Sequence, residues 1–134
     1  MKGKIFLDTN VCIYAFDNDS KKKEKSLDLI IGSHATVSTQ VLMETANVAV
    51  KKLKFKQDKI QLSIYYITTF CSLQIIELLT IKQAFQIHKK YQYSLYDALI
   101  ISSALEANCN ILFSEDMQHG QFIDNRLRIL NPFL

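Results

Sequence analysis

Close to the N-terminus lies a short apolar run that ends in polar residues, reading IFLDTN from Ile5 to Asn10. A continuous apolar run of this kind is typical of a strand that is covered on both faces, as in a parallel sheet. In open α/β sheets, ligands bind beyond the carboxyl ends of the strands. A carboxylate that ends a buried strand also needs a partner or an ion, because an unpaired buried charge is unfavourable. Asp8 is therefore the first candidate for a functional residue.

Predicted strands and helices alternate along the rest of the chain. The strands are expected at residues 4–8, 35–38, 73–78, 110–113 and 127–130, and the helices at residues 10–16, 21–31, 39–53, 57–70, 81–91 and 94–108. The sequence contains no Asn-Gly or Asp-Gly pair that would mark a β-hairpin. This alternation predicts βαβ units. We therefore expect a three-layer α/β fold, in which helices flank a central, mostly parallel, twisted sheet of about five strands.

Length and composition predict one globular domain over residues 1–134. The 3 cysteines, Cys12, Cys71 and Cys109, are widely spaced, which argues against a disulfide framework and against a zinc site. Asp8 interrupts the first apolar run, so it does not fit a signal peptide. The later apolar stretch Leu73–Ile81 is too short to span a membrane. These features predict a cytoplasmic protein that does not enter the membrane.

Three further acids share the topological position of Asp8. Glu44 lies one turn into the helix after the second strand, and Asp97 lies in the first turn of the helix that begins at Ser94. Asp116 follows the end of the fourth strand. Each acid is at the exit of a strand or the entry of a helix, which places all of them at the same edge of a parallel sheet. The sequence therefore predicts that four carboxylates converge.

Each of these acids also has an ordinary structural explanation. Asp97, three residues after Ser94, fits a capping box in which Asp replaces the usual Glu or Gln. Glu44 could interact favourably with the helix dipole, and Asp116 could be a turn residue. Asp8 has the weakest explanation of this kind, because it ends an apolar strand. The shared position of the four acids favours a functional site over four separate structural roles.

Clustered carboxylates raise one another's pKa unless a cation is bound. Ligands that are all oxygen suit Mg²⁺ or Mn²⁺ rather than zinc. Such an ion lowers the pKa of a bound water and stabilises charge on a phosphoryl group, which predicts metal-assisted phosphodiester hydrolysis. The net charge is +3, and the chain outside the four acids is more basic still, which suits a polyanionic substrate. Lysines are concentrated at residues 21–25 and 51–59, and each cluster is compatible with a solvated helix face.

Four short motifs resemble the PIN domain, and most closely the small VapC-type ribonuclease toxins of VapBC toxin–antitoxin pairs. The motifs are FLDTNV at residues 6–11, STQVLME at residues 38–44, SLYDALI at residues 94–100 and LFSED at residues 112–116. Their order and spacing extend the resemblance over essentially the whole chain.

The resemblance implies an endoribonuclease that depends on Mg²⁺ or Mn²⁺ and hydrolyses RNA through a metal-activated water. The catalytic and metal-binding residues that it implies are Asp8, Glu44, Asp97 and Asp116. Asn10 and Ser114 match supporting positions, where a polar side chain can orient a carboxylate or a water. The implied partners are the RNA substrate, a cognate antitoxin and a second copy of the chain in a homodimer. Many PIN sequences continue after the fourth acid to another acid or an aromatic residue, whereas this chain reads MQHG after Asp116. No further acidic ligand is therefore expected from this loop.

Two other functions are compatible with the sequence. A catalytically silent PIN-like module could bind RNA or a protein partner, although the presence of all four acids argues against it. An aspartyl-phosphate phosphatase would use Asp8 as its nucleophile, but this chemistry generally requires a second acid two residues later, where the chain has Asn10. The metal-dependent endoribonuclease is therefore the function that we expect.

Overall fold

The computed structural model describes residues 4–134. Within these residues the chain forms six strands and six helices. The strands are β1 (Ile5–Leu7), β2 (Thr36–Ser38), β3 (Ser72–Gln74), β4 (Ile111–Phe113), β5 (Phe122–Ile123) and β6 (Leu127–Leu130). The helices are α1 (Thr9–Tyr14), α2 (Lys23–Gly32), α3 (Thr39–Lys51), α4 (Gln57–Phe70), α5 (Leu78–Tyr91) and α6 (Leu95–Glu106).

The strands form one sheet in the order β3-β2-β1-β4-β6-β5. All neighbouring pairs are parallel except β5 and β6, which are antiparallel. β1 lies inside the sheet, where Phe6 pairs with Thr36 of β2 and with Leu112 of β4. Because parallel strands end at a common edge, the residues that follow β1, β2 and β4 are neighbours.

The apolar strands predicted from the sequence form the centre of the core. Phe6, Leu7, Val37, Leu112 and Ile129 are completely buried, and burial of each such side chain contributes about 1.5–3 kcal/mol. The helices pack in two groups, α1 to α4 and α5 with α6, and flank the sheet. None of the helices in residues 4–134 is long and apolar enough to cross a membrane. The predicted three-layer α/β architecture is confirmed.

The sixth strand, β5, was not predicted. It has only two residues, Phe122 and Ile123, and is defined by its antiparallel pairing with β6. A segment this short carries no periodic hydrophobic pattern, so the sequence signal for a strand is absent.

The start of α5 also differs from the prediction. The helix begins at Leu78 instead of residue 81, and β3 ends at Gln74 instead of residue 78. The N-cap is Glu77, whose side chain accepts a hydrogen bond from the backbone N–H of Thr80. Thr80 Oγ1 accepts one in return from the Glu77 backbone N–H at 3.1 Å. This reciprocal pair extends the helix by one turn towards its N-terminus.

Side-chain caps begin three helices that carry residues of the predicted site. Asp8 follows β1 directly and caps α1, because its carboxylate accepts a hydrogen bond from the Thr9 backbone N–H. Ser38 ends β2 and caps α3. Ser94 caps α6 by accepting a hydrogen bond from the Asp97 N–H at 3.2 Å. The predicted capping role of Ser94 is therefore present, and Asp97 lies in the first turn of the helix.

Candidate active site

The four acids predicted from the sequence line a single groove of about 610 Å³. Its walls are formed largely by α1 and α3, and the first turn of α6 and the loop after β4 complete it. The acids at this groove are Asp8, Glu44, Asp97 and Asp116. The structure thus brings together residues that are separated by up to 108 positions in the chain.

Asp8 is the most buried of these acids, with 6% of its surface exposed. Its Oδ1 accepts a hydrogen bond from the Thr9 N–H at 2.7 Å, and its Oδ2 accepts one from the Ser114 hydroxyl at 2.8 Å. Burial raises the pKa of Asp8 to about 6, and the nearby charges of Asp97 and Glu44 add to this effect, whereas the two hydrogen bonds oppose it. Asp8 therefore holds a proton more tightly than an exposed aspartate.

Glu44 is held at both carboxylate oxygens. The Thr9 hydroxyl donates to Glu44 Oε1 at 2.7 Å, and Gln40 Nε2 lies 3.3 Å from Oε2. Gln40 Nε2 also donates to the backbone carbonyl of Tyr96 at 3.0 Å, one residue before Asp97. Gln40 therefore links α3, which carries Glu44, to the first turn of α6, which carries Asp97.

Asp97 and Asp116 complete the acidic part of the groove. Asp97 is half-buried, and burial raises its pKa, with further contributions from the charges of Asp116 and Glu44. Interaction with the Ser94 hydroxyl partly offsets this increase in the pKa of Asp97. Asp116 is exposed and lies in the loop after β4. The acids thus range from a buried carboxylate at the base of the groove to a solvated one at its rim.

The two supporting residues predicted from the sequence both fix the loop after β4, Asn10 from α1 and Ser114 as the first residue of the loop itself. Asn10 Oδ1 accepts a hydrogen bond from the backbone N–H of Glu115 at 3.2 Å. The completely buried Ser114 donates to Asp8 and accepts a hydrogen bond from the Met117 backbone N–H at 3.3 Å. The backbone on both sides of Asp116 is therefore tied to residues next to the acidic site.

Glu115 also lines the groove, but its charge is already compensated. Its carboxylate forms an ion pair with Lys22 and accepts a hydrogen bond from the Tyr14 hydroxyl. Burial tends to raise the pKa of Glu115, but the contacts with Lys22 and Tyr14 outweigh it and lower the pKa. Lys22 lies over the rings of Tyr14 and Phe133, 5.0 and 5.3 Å from their centroids. Glu115 thus acts as a structural anchor for its loop.

The sequence prediction missed four polar residues of this network: Tyr14, Lys22, Gln40 and the hydroxyl role of Thr9. Gln40 had a detectable signal, because it precedes Glu44 by four residues on the same helix and so lies on the same face. Thr9 was visible only as a neighbour of Asp8. The contact between Lys22 and Glu115 spans 93 positions and has no local signal.

The donor set of the groove fits a hard divalent cation, because it consists of carboxylates with few basic neighbours. Burial is the main cause of the raised pKa values of Asp8 and Asp97, and the charges of the neighbouring acids add to it, so a cation bound in this groove would lower both pKa values. Among residues 4–134, no three His, Cys, Asp or Glu side chains are arranged so that they could hold one ion. The ligand roles predicted for these acids therefore stay a prediction.

Comparison with solved structures finds the same fold in several proteins. The chain resembles VapC20 of Mycobacterium tuberculosis, described as a sarcin–ricin loop cleaving toxin, with a TM-score of 0.68 and 15% identity over 84% of this chain and 90% of that one. It resembles a chain of a toxin–antitoxin complex from Klebsiella pneumoniae with a TM-score of 0.72 and 16% identity, covering 96% and 98% of the two chains.

A third similar structure is DNA-bound VapBC from Salmonella typhimurium, with a TM-score of 0.71 and 18% identity over 98% of this chain and 99% of that one. At these identities the similarity concerns the fold alone. No curated protein sequence matches the chain significantly. The family model of the PIN domain, however, matches residues 5–122, a range that contains all four acids. The chain therefore belongs to the PIN domain family.

Proposed function

We propose that this protein is a metal-dependent endoribonuclease, the toxin of a toxin–antitoxin pair. The observation that carries the proposal is the convergence of four acids from distant parts of the chain on one groove, with the buried Asp8 at its base. Membership of the PIN domain family and the fold shared with VapC20, a sarcin–ricin loop cleaving toxin, support the same activity. The substrate that we propose is RNA.

The residues that would hold Mg²⁺ or Mn²⁺ are Asp8, Asp97 and Asp116, with Glu44 beside them. A divalent ion at this position lowers the pKa of an attacking water and offsets the charge that develops on the phosphoryl group. Because no three of the side chains in residues 4–134 are placed to hold one ion directly, ordered waters or small side-chain movements would connect some of these acids to the ion.

The surrounding residues have positioning roles in this proposal. Thr9 fixes Glu44 Oε1, and Ser114 fixes Asp8 Oδ2, so each acid keeps one defined orientation. Glu44 Oε2 has the longer contact, 3.3 Å to Gln40 Nε2, and is the oxygen that we assign to orienting the attacking water. Asn10 and Ser114 hold the loop that carries Asp116.

The partners that we propose are a cognate antitoxin and a second copy of the chain. The antitoxin is supported by the fold shared with chains of toxin–antitoxin complexes, including DNA-bound VapBC from Salmonella typhimurium. A basic antitoxin side chain could enter the acidic groove as a tethered cation, which would block the activity by direct competition with the metal.

The activity is tested by incubating the purified protein with RNA in the presence of Mg²⁺ or Mn²⁺ and mapping the cut sites. We expect cleavage that EDTA abolishes and that Asp8→Asn and Asp97→Asn each reduce by at least about 10²-fold, since each removes a charge at the reacting centre. Asp28→Asn is the matched control, because Asp28 is an exposed acid of α2 outside the groove. Cleavage by the Asp8 and Asp97 variants at the rate of the parent would refute the proposal.

Among residues 4–134 no three acidic side chains are placed to hold one ion directly, which favours one alternative, a catalytically silent PIN-like module that binds RNA or a protein. This alternative predicts retained RNA binding without metal-stimulated cleavage on a broad panel of RNAs. A cut site that depends on added metal and on Asp97 would exclude it. Asn10 disfavours the phosphatase alternative, because it lies where that chemistry needs a second acid. Its side chain accepts a hydrogen bond from the Glu115 backbone N–H.

A further inference from the structure

The groove continues beyond the acids, along α1 and α3, to a lysine at the end of α3. On the α3 side its lining residues include Glu44, Val48 and Lys52. These residues are four positions apart, so they lie on one face of the helix. Eight residues of helix correspond to about 12 Å along the axis. Lys52 is therefore about two helical turns from Glu44, at the far end of the same groove.

Lys52 is the one basic residue among those lining the groove, in the part of the chain that the structure describes. It is exposed and forms neither of the two ion pairs found among residues 4–134, which join Lys22 to Glu115 and Lys90 to Asp124. Lys22, which contacts the groove-lining Glu115, is thus already paired with an acid. The ammonium group of Lys52 is available to a ligand that enters the groove.

The groove as a whole is acidic, which determines what Lys52 can bind. Asp17, Glu115 and the four proposed metal-binding acids all line it. This surface would repel a polyanion unless cations neutralise the charges of the polyanion. A metal bound at the acids would neutralise one phosphate of an RNA strand. Lys52 is too distant to bind the same phosphate. It is well placed for another phosphate of that strand.

We propose that Lys52 binds a backbone phosphate of the substrate strand away from the scissile bond, so that the strand runs along the groove between α1 and α3. This inference rests on the proposed ribonuclease function and adds the path of the substrate. It also assigns a role to one lysine of the cluster at residues 51–59. From the sequence alone, this cluster is compatible with a solvated helix face. Lys52 is a substrate-positioning residue, because it lies too far from the acids to take part in the chemistry.

The test compares Lys52→Gln with Lys51→Gln, both in an Asp97→Asn background that suppresses cleavage. Lys51 is the matched control, because it is an exposed neighbour with the same charge and does not line the groove. Binding of a short fluorescent single-stranded RNA is measured by anisotropy between about 50 and 200 mM salt. We expect Lys52→Gln to weaken binding about threefold to tenfold and to reduce the magnitude of the slope of log K against log salt by about 0.7. Lys51→Gln should leave both quantities close to those of the background.

A kinetic measurement in the otherwise unmodified chain gives the second readout. Lys52→Gln should raise KM for RNA by a similar factor and leave kcat within about twofold, because it removes ground-state and transition-state binding equally. Equal effects of Lys52→Gln and Lys51→Gln on affinity and slope would overturn the proposal. RNA binding by Lys52→Gln that matches the background would do so too.

Failure of this inference is distinguishable from failure of the proposed function. If the parent cleaves RNA, Asp97→Asn abolishes cleavage and Lys52→Gln changes nothing, the position of Lys52 on the substrate path is wrong and the ribonuclease remains. If the parent never cleaves RNA but Lys52→Gln still weakens binding and reduces the salt slope, the nuclease function is wrong and the groove still binds RNA through Lys52.

Discussion

At the scale of single residues, Asp8 determines both the site and part of the stability of the protein. Its carboxylate ends a buried strand and caps α1, and only 6% of its surface is exposed. Burial raises its pKa to about 6, so the folded chain binds this proton more tightly than the unfolded chain, in which the pKa is near 3.8. Ionised Asp8 therefore opposes folding at neutral pH, as expected for a functional acid whose favourable partner is a cation.

We predict that Asp8→Asn stabilises the metal-free protein at neutral pH. Between about pH 4 and 6 the native state of the parent binds more protons than the unfolded state, so its free energy of unfolding falls as the pH rises. The variant lacks this titration and should be more stable than the parent by about 1–3 kcal/mol at pH 7, with little difference below pH 4. Urea denaturation in EDTA at the two pH values measures the effect.

Asp28→Asn serves as the control for Asp8→Asn, since Asp28 is exposed on α2 and should give the same small change at both pH values. A variant at Asp8 that is equally destabilised at pH 4 and pH 7 would contradict the assignment of a raised pKa and would indicate that the carboxylate serves only as a helix cap.

At the scale of elements, the start of α5 illustrates how a side chain can connect three segments. Thr80 is completely buried, accepts a hydrogen bond from the Glu77 N–H and donates to Glu106 Oε1 at 2.7 Å. Gln74 of β3 donates to the same Glu106 oxygen at 3.0 Å. Thr80 therefore joins the first turn of α5 to the last residue of α6, next to the edge strand of the sheet.

Thr80→Val should lower the free energy of unfolding by about 1–3 kcal/mol. The substitution keeps the shape of the side chain but leaves the Glu77 N–H unpaired and removes one of the two donors to Glu106. Thr69→Val is the control, because the exposed Thr69 hydroxyl bonds only within α4. Urea denaturation compares the two variants, and a loss no larger for Thr80→Val than for Thr69→Val would show that the link is unimportant. RNA cleavage should be unchanged, because Thr80 does not line the groove.

At the scale of the whole molecule, the sheet order explains why distant acids meet. β1 and β4 are adjacent and parallel, so Asp8 and Ser114 follow their strands side by side. α3 begins directly after β2, the other neighbour of β1, and brings Glu44 to the same edge. The fold thus concentrates negative charge in one groove of a chain whose net charge is +3. A cation should relieve the resulting repulsion.

We expect Mn²⁺ or Mg²⁺ to raise the Tm of the protein, because an ion that binds only the native state stabilises it by mass action, by about 2.7 kcal/mol at a concentration of 100 Kd. Asp97→Asn and Asp116→Asn should each reduce this shift by removing a proposed ligand. Differential scanning fluorimetry measures it, with KCl at matched ionic strength to separate specific binding from screening. A shift of the same size in KCl, or one that both variants retain in full, would argue against a metal site at these acids.

Sequence alone was sufficient for features that are encoded locally. The apolar runs at β1 and β4 and the helical periodicity around α3 and α4 predicted the main elements, because strands and helices each impose a characteristic spacing on buried residues. The alternation of these elements predicted a parallel sheet, and the parallel sheet in turn predicted that Asp8, Glu44, Asp97 and Asp116 share one groove. That inference needed only the rule that parallel strands end at a common edge.

The tertiary structure decided what depends on contacts between distant segments. The Thr9 hydroxyl forms a hydrogen bond with Glu44, 35 positions away in the sequence. Ser114 and Asp8 are 106 positions apart, and Lys22 and Glu115 are 93 positions apart. No local pattern encodes such pairs, since they arise only when strand order and helix packing bring the segments together. The same is true of β5, of how the carboxylates are placed relative to one another and of Lys52 at the end of the groove. The sequence thus determined which acids meet, and only the folded chain determined how each is held, because hydrogen bonds and burial depend on distances of a few ångströms.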